Sequence, residues 1–149
     1  SAGSGFFQHG HTYVAHVAAC AGALAVQRVI QEELLLDNVK KRGEQLRRLL
    51  REKFCDHPHV GDVRGRGLFV GVEFVQDRLS KDAFDPRSKI YAQLKASGMQ
   101  HGLLTYPSGG TIDGVRGDHV LLAPPFICTE ADIELICDRF VNAVQSVFP

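Results

Sequence analysis

A change of hydrophobic period near residue 60 constrains the fold of this chain more than any other feature of its sequence. Before it, residues 14–33 form an Ala-rich segment that predicts a helix. Residues 37–54 repeat apolar side chains near helical spacing and predict a second helix, with Asp37 as its N-cap. After it, VGDVRGRGLFVGVEFV over 60–75 alternates like a strand and is interrupted by glycines, which predicts a bulged or tightly packed hairpin.

The second half of the chain mixes short strands and helices in the same way. Its predicted elements are a helix over 86–97 ending at Gly98, a strand at 103–104, a Gly-rich loop over 105–118 and a strand over 119–123. Thr129 and Asp132 have the spacing of a capping box and predict the start of a last helix. Strands interspersed with helices predict a small α+β (α/β) domain with one sheet covered by helices.

Composition excludes several classes of protein. The chain has 149 residues, about one domain, with 17 basic and 17 acidic residues, so no net charge attracts nucleic acid or anionic lipid. No apolar stretch approaches the ~18 residues that a membrane span needs. Four cysteines lack a C-x-x-C pair and are interpreted as reduced, buried thiols. The segment 1–5 lacks the features of a signal peptide and is interpreted as a linker remnant or the edge of a longer chain.

Short motifs do not by themselves name a reaction. Gly65 and Gly67 precede a strand rather than a helix and lack the G-x-x-x-x-G-K-[ST] pattern, so structural glycines are favoured over a phosphate loop. His9, His11 and His16 have no acidic residue close by in sequence. A structural or pocket-lining role is therefore favoured over a metal site, and no metal is predicted.

Three blocks of the sequence, taken together, do indicate a family. FFQHGHTYVAHVAACAGALAVQRVIQEE, VGDVRGRGLFVGVEF and GDHVLLAPPFICTEADIE, in this order, resemble the C-terminal part of a class III aminotransferase. The resemblance implies the C-terminal small domain of the pyridoxal-phosphate-dependent, aspartate-aminotransferase-like fold (fold type I). It assigns residues 1–33 to the end of the large-domain region and a connecting helix, and residues 34–149 to the small domain.

The resemblance also implies site residues. Thr12, with His11 before it, corresponds to the H-G-x-T-Y block that reaches the phosphate of pyridoxal 5'-phosphate in the partner subunit, which implies a homodimer. The alternative is that Thr12 caps the following helix, and the two roles are compatible. Arg116, beside a G-D-H element, is the candidate for a mobile arginine that binds a substrate carboxylate. Leu121 stands where some family members have a carboxylate-binding arginine, and Arg64 is interpreted as structural.

The activity implied is transfer of an amino group from an amine or ω-amino acid to a keto acid, in a cytoplasmic enzyme. None of the six lysines matches the family's Schiff-base position, and no catalytic residue is assigned. The chain alone is therefore predicted to be inactive, as a C-terminal fragment of the enzyme. The alternative is a stand-alone α+β binding or regulatory domain without catalytic activity.

Overall fold

The computed structural model describes residue 3, residue 5 and residues 9–149 of the chain. The chain divides into two compact units, Ser1–Leu35 and Leu36–Pro149, and each is described by itself. The prediction that residues 1–33 belong to a large domain is not tested by this division. The described helices include none long and apolar enough to cross a membrane.

The first unit consists of a turn and one helix. Helix α1 spans Val17–Glu32, and the Nδ1 atom of His16 caps it by accepting the backbone N–H of Ala19 at 3.4 Å. The predicted start at residue 14 and the alternative of Thr12 as helix cap are both wrong. The N–H of Val14 donates to the carbonyl of His11 at 3.0 Å, so the backbone turns at Thr12 before the helix begins.

The second unit contains three α-helices, a short 3-10 helix and a four-stranded sheet. In chain order its elements are α2 (Leu35–Lys53), β1 (Val60–Arg66), β2 (Phe69–Phe74), a short 3-10 helix (Pro86–Ser88), α3 (Ile90–Gln100), β3 (Tyr106–Gly109), β4 (Asp118–Leu122) and α4 (Glu130–Val147). The strand order is β1-β2-β4-β3, and every neighbouring pair is antiparallel. This confirms the predicted small sheet with helices.

One face of the sheet carries the core. In β2, Val70, Val72 and Phe74 are buried, and they share a single cluster with buried side chains from α2, α3 and α4. The helices contribute apolar residues at helical spacing: Leu46, Leu50, Ile90, Leu94, Ile133, Cys137, Phe140 and Val144. Because side chains alternate along a strand, the other residues of β2 point to the opposite face, which is partly open.

Local geometry corrects two predictions around α3. Gly98 is not the helix cap, because α3 continues to Gln100 and is capped by His101. Gly98 is buried instead, and a Cβ atom there would lie 3.1 Å from the carbonyl oxygen of Leu103. The strand predicted at 103–104 is also wrong, since β3 lies three residues further on, inside the predicted Gly-rich loop.

Two further predictions have mixed outcomes. The capping box is confirmed: the Thr129 hydroxyl accepts the N–H of Asp132 at 3.2 Å, and Asp132 accepts the N–H of Thr129 at 2.8 Å. The cysteines are all free, but only Cys128 and Cys137 are buried, and burial raises the pKa of Cys137 to about 11. The prediction of burial is wrong for Cys20, which lies on the exposed α1, and for Cys55, which follows the end of α2.

Candidate functional site

The open face of the sheet in the second unit forms a shallow cavity of about 360 Å³. Its lining comes from adjacent strands and from the loop before β4, because residues of one parity on β2 and β4 face the same side. The residues that line it are Arg64, Gly65, Phe69, Gly71, Glu73, Thr111, His119 and Leu121, together with Val72, whose side chain is buried in the core. The surface is mostly apolar, with charged and hydrogen-bonding groups along its edge.

Arg64 is held on this face by two carboxylates. Its Nη1 atom donates to Asp62 at 2.8 Å and to Glu73 at 2.6 Å, so the guanidinium links β1 to β2. Hydrogen bonds from Arg64 to Asp62 and Glu73 raise the pKa of the guanidinium. An arginine already shared by two acidic groups is poorly placed to bind a third carboxylate, which favours the structural interpretation of Arg64.

A second polar contact joins β4 to the loop that precedes it. Thr111 Oγ1 and His119 Nδ1 lie 2.6 Å apart, within hydrogen-bond distance. The loop, residues 110–117, also folds back on itself, since the N–H of Ile112 donates to the carbonyl of Arg116 at 2.9 Å. The loop that carries Arg116 is thus anchored to β4.

Arg116 lies in this loop and pairs with Asp113. Its Nε atom donates to Asp113 Oδ2 at 2.8 Å, and its side chain is 60% exposed. Backbone and side-chain hydrogen bonds from Arg116 hold the pKa of Asp113 down at about 2, and the same pair raises the pKa of Arg116. Thr111 of the same loop lines the cavity, whereas Arg116 does not contribute to its described lining.

The predicted cofactor-binding residues lie in the first unit. His11 and Thr12 are both exposed at the turn before α1. The imidazole ring of His11 meets that of His9 edge to face, with centroids 5.9 Å apart. An exposed threonine hydroxyl beside turn backbone is a donor set that suits a phosphate group.

The structure also shows where the lysines lie. All six are exposed: Lys40, Lys41, Lys53, Lys81, Lys89 and Lys95. A lysine that forms a Schiff base needs a lowered pKa, which proteins achieve by desolvation or by a neighbouring cation. None of these exposed positions offers the desolvation.

Sequence reasoning missed the contacts that organise the loop. The spacing of Asp113 and Arg116 is a signal for an Asx-type turn, because a short acidic side chain accepts backbone N–H groups two and three residues later. The pairing of Thr111 with His119 has no such local signal, since it depends on how the loop returns to the strand.

Comparison with known proteins identifies the family. Residues 2–144 match the family described as Aminotransferase class-III. The chain belongs to the class III aminotransferases. An aminotransferase of Gibberella zeae is 46% identical over 143 residues, which cover 95% of this chain and 28% of that protein. The uncharacterized aminotransferase YodT of Bacillus subtilis is 36% identical over 145 residues, covering 97% of this chain and 33% of that protein.

Solved structures agree with this assignment of the class III aminotransferase fold. An (S)-enantioselective omega-transaminase from Thermomicrobium roseum superposes with a TM-score of 0.82 at 30% identity. The match covers 99% of this chain and 31% of that structure. The chain thus spans about 30% of the length of the relatives it matches. The predicted family and fold are confirmed, and this family uses pyridoxal 5'-phosphate.

Proposed function

We propose that this chain is the small-domain part of an enzyme that transfers an amino group from an amine or ω-amino acid to a keto acid. The observation that carries the proposal is the class III match over residues 2–144. The likeness to an omega-transaminase at a TM-score of 0.82 supports the choice of an amine-type donor.

Pyridoxal 5'-phosphate supplies the electron sink for this chemistry when it is bound. The residues of this chain fit its phosphate: Thr12 offers an exposed hydroxyl donor, and His11 precedes it in the same turn. We place both against the phosphate in the partner subunit of a homodimer. The Thr12 hydroxyl would donate a hydrogen bond to the phosphate and orient it.

The substrate carboxylate is assigned to Arg116. A guanidinium donates two parallel hydrogen bonds to a carboxylate, and this one is exposed at the end of a side chain with several rotatable bonds. An amine donor without a carboxylate does not need this contact. The keto acid acceptor does, so with an amine donor Arg116 would act on only one half of the reaction.

The exposed lysines support a further part of the proposal. With all six lysines solvated, the lysine that holds the cofactor would come from outside these 149 residues. The chain alone is therefore proposed to be inactive, and its contribution is to bind and orient.

The experiment is a kinetic comparison in a full-length protein that contains this chain. Arg116→Ala should raise the KM for the keto acid at least about tenfold, because a charge-assisted hydrogen bond contributes roughly 1.5–3 kcal/mol, and it should leave the KM for the amine donor within about twofold. Arg87→Ala is the matched control, since Arg87 is also exposed and donates from Nε to the aspartate two residues before it, Asp85.

The proposed activity fails if the full-length protein transfers no amino group from any amine to any keto acid, a result that would favour a binding or regulatory role. Unchanged keto acid kinetics in Arg116→Ala, with activity intact, would remove only the assignment of Arg116. The 149-residue chain alone, assayed with added cofactor, is expected to show no activity.

A further inference from the structure

The pair formed by Asp113 and Arg116 divides its contacts unequally between the two oxygens of the carboxylate. Asp113 Oδ1 accepts the backbone N–H of Val115 at 3.0 Å and that of Arg116 at 2.7 Å. Among the described residues, the other oxygen, Oδ2, accepts only the Nε–H of the Arg116 side chain, at 2.8 Å. The guanidinium can therefore leave Asp113 while Oδ1 continues to hold the turn.

The backbone around this pair is fixed independently. The N–H of Gly114 donates to the carbonyl of Gly110 at 2.9 Å, and the Thr111 hydroxyl contacts His119 on β4. Gly110 and Gly117 have φ values of +78° and +93°, a region that side-chain-bearing residues rarely adopt. A change in the partner of Arg116 thus requires side-chain rotation and no rearrangement of the loop.

The pair is open to exchange with another carboxylate. The side chains of Arg116 and Asp113 are 60% and 41% exposed, and the Nε contact does not use the two terminal nitrogens of the guanidinium. An exposed ion pair of this kind contributes only up to about fivefold to an equilibrium constant. A ligand that offers two oxygens to the terminal nitrogens can therefore replace it.

We propose that the carboxylate of Asp113 competes with the substrate carboxylate for Arg116. This competition sets the affinity of the site for the keto acid. Asp113 holds and neutralises Arg116 while an amine without a carboxylate occupies the site, and a keto acid must displace it to bind. Asp113 is a positioning residue in this scheme, because it acts only through Arg116. The inference rests on the proposed carboxylate-binding role of Arg116.

The test replaces Asp113 with asparagine in the full-length enzyme. Asn keeps an oxygen that accepts the N–H groups of Val115 and Arg116, so the turn is preserved, but it removes the competing charge. Asp113→Asn should lower the KM for the keto acid about two- to fivefold and leave the KM for the amine donor unchanged. Binding of succinate, an unreactive dicarboxylate, should tighten by the same factor in calorimetry.

Two controls make the result specific to the pair. Asp85→Asn removes the charge from a comparable exposed aspartate that also holds an arginine through its backbone N–H and Nε, and it should change neither constant. In an Arg116→Ala background, Asp113→Asn should have no effect on the keto acid, because the group for which Asp113 competes is gone.

The outcomes separate this inference from the function on which it rests. If Arg116→Ala weakens keto acid binding but Asp113→Asn does not strengthen it, the competitor role is wrong and the carboxylate assignment stands. If Asp113→Asn strengthens binding equally with and without Arg116, the effect is a general change of charge and the inference is again overturned. If Arg116→Ala has no effect, both assignments fail together.

Discussion

His57 lies in a ring cluster at the end of the second unit, and its surroundings disfavour a positive charge. Its ring meets Phe54 and Phe148 edge to face, with centroids 5.5 Å and 5.8 Å apart. Its Nδ1 atom accepts the backbone N–H of His59 at 3.2 Å, which requires an unprotonated nitrogen there. Burial lowers the pKa of His57, and the neighbouring His59 and Arg78 add to the effect.

This environment predicts a loss of stability in mild acid. Because the pKa of His57 is lower in the folded state, the unfolded chain binds more protons between that pKa and about 6.5, so the free energy of unfolding should fall as the pH drops below about 6.5. His57→Asn keeps an acceptor for the His59 N–H and removes the titration. Urea unfolding from pH 7.5 to 5.5 should therefore show a shallower pH dependence in the variant.

Other ionisable groups near this cluster are present in both the parent protein and His57→Asn. The pKa of Asp77 is lowered mainly by hydrogen bonds from Ser80 and also by the nearby His59. Asp77 therefore stays charged between pH 7.5 and 5.5. Arg78 is common to both proteins. Equal pH dependence with and without His57 would show that another group is responsible.

Among the secondary-structure elements, α2 and the turn between β1 and β2 approach each other closely at two glycines. Gly43 on α2 lies against the turn between β1 and β2, and a Cβ atom there would come within 2.1 Å of the carbonyl oxygen of Gly67. The same oxygen accepts a hydrogen bond from Arg47 at 3.0 Å. Gly67 itself has a φ of +55°, as the tight turn requires, and its α-carbon faces Val39.

Gly43→Ala is therefore expected to destabilise the second unit although alanine is the better helix former. The clash is with backbone, which cannot rotate away, so α2 must move and the cost is about 2–3 kcal/mol. Urea denaturation followed by circular dichroism measures it. Gly22→Ala on α1 is the control, since its Cβ would meet no atom of the described residues within 4 Å, and it should leave the stability of the second unit unchanged. Equal stability of Gly43→Ala and the parent chain would contradict this packing.

At the scale of the whole molecule, the proposed homodimer places Thr12 against the cofactor phosphate of the partner subunit. This role can be tested only in the dimeric enzyme. In the full-length enzyme, Thr12→Ala should raise the dissociation constant of pyridoxal 5'-phosphate about tenfold, as expected for the loss of one charge-assisted hydrogen bond. Thr12→Ser keeps the hydroxyl and should bind nearly as well as the parent. Equilibrium titration followed by absorbance gives these constants.

Mixed dimers distinguish a shared site from one that a single subunit completes. A Thr12→Ala subunit is paired with a subunit whose cofactor lysine has been replaced, so only the first offers a lysine. Parent-like cofactor affinity at that site is expected if Thr12 comes from the partner subunit. Affinity as weak as that of the Thr12→Ala homodimer would place Thr12 in the site of its own subunit.

The sequence by itself determined the family, the helices and the order of most elements. Apolar spacing along α2 and α4 and the capping box at Thr129 and Asp132 are local patterns, and they correspond to helices in the structure. The glycine-interrupted segment over 60–75 became the β1–β2 hairpin for the same reason. His11, Thr12 and Arg116 as site residues came from the family resemblance, and they stay predictions.

Only the tertiary structure decided what depends on contacts between distant residues. Position 106–109 became a strand because it pairs with β4, and Gly98 lies inside α3 where the carbonyl of Leu103 approaches its α-carbon closely. The partner of His119 was likewise invisible in the sequence, since the contact with Thr111 depends on how one loop folds back onto a strand. Hydrophobic period and capping are local along the chain, whereas strand pairing, close approach and ion pairing are settled only when the backbone brings their partners together.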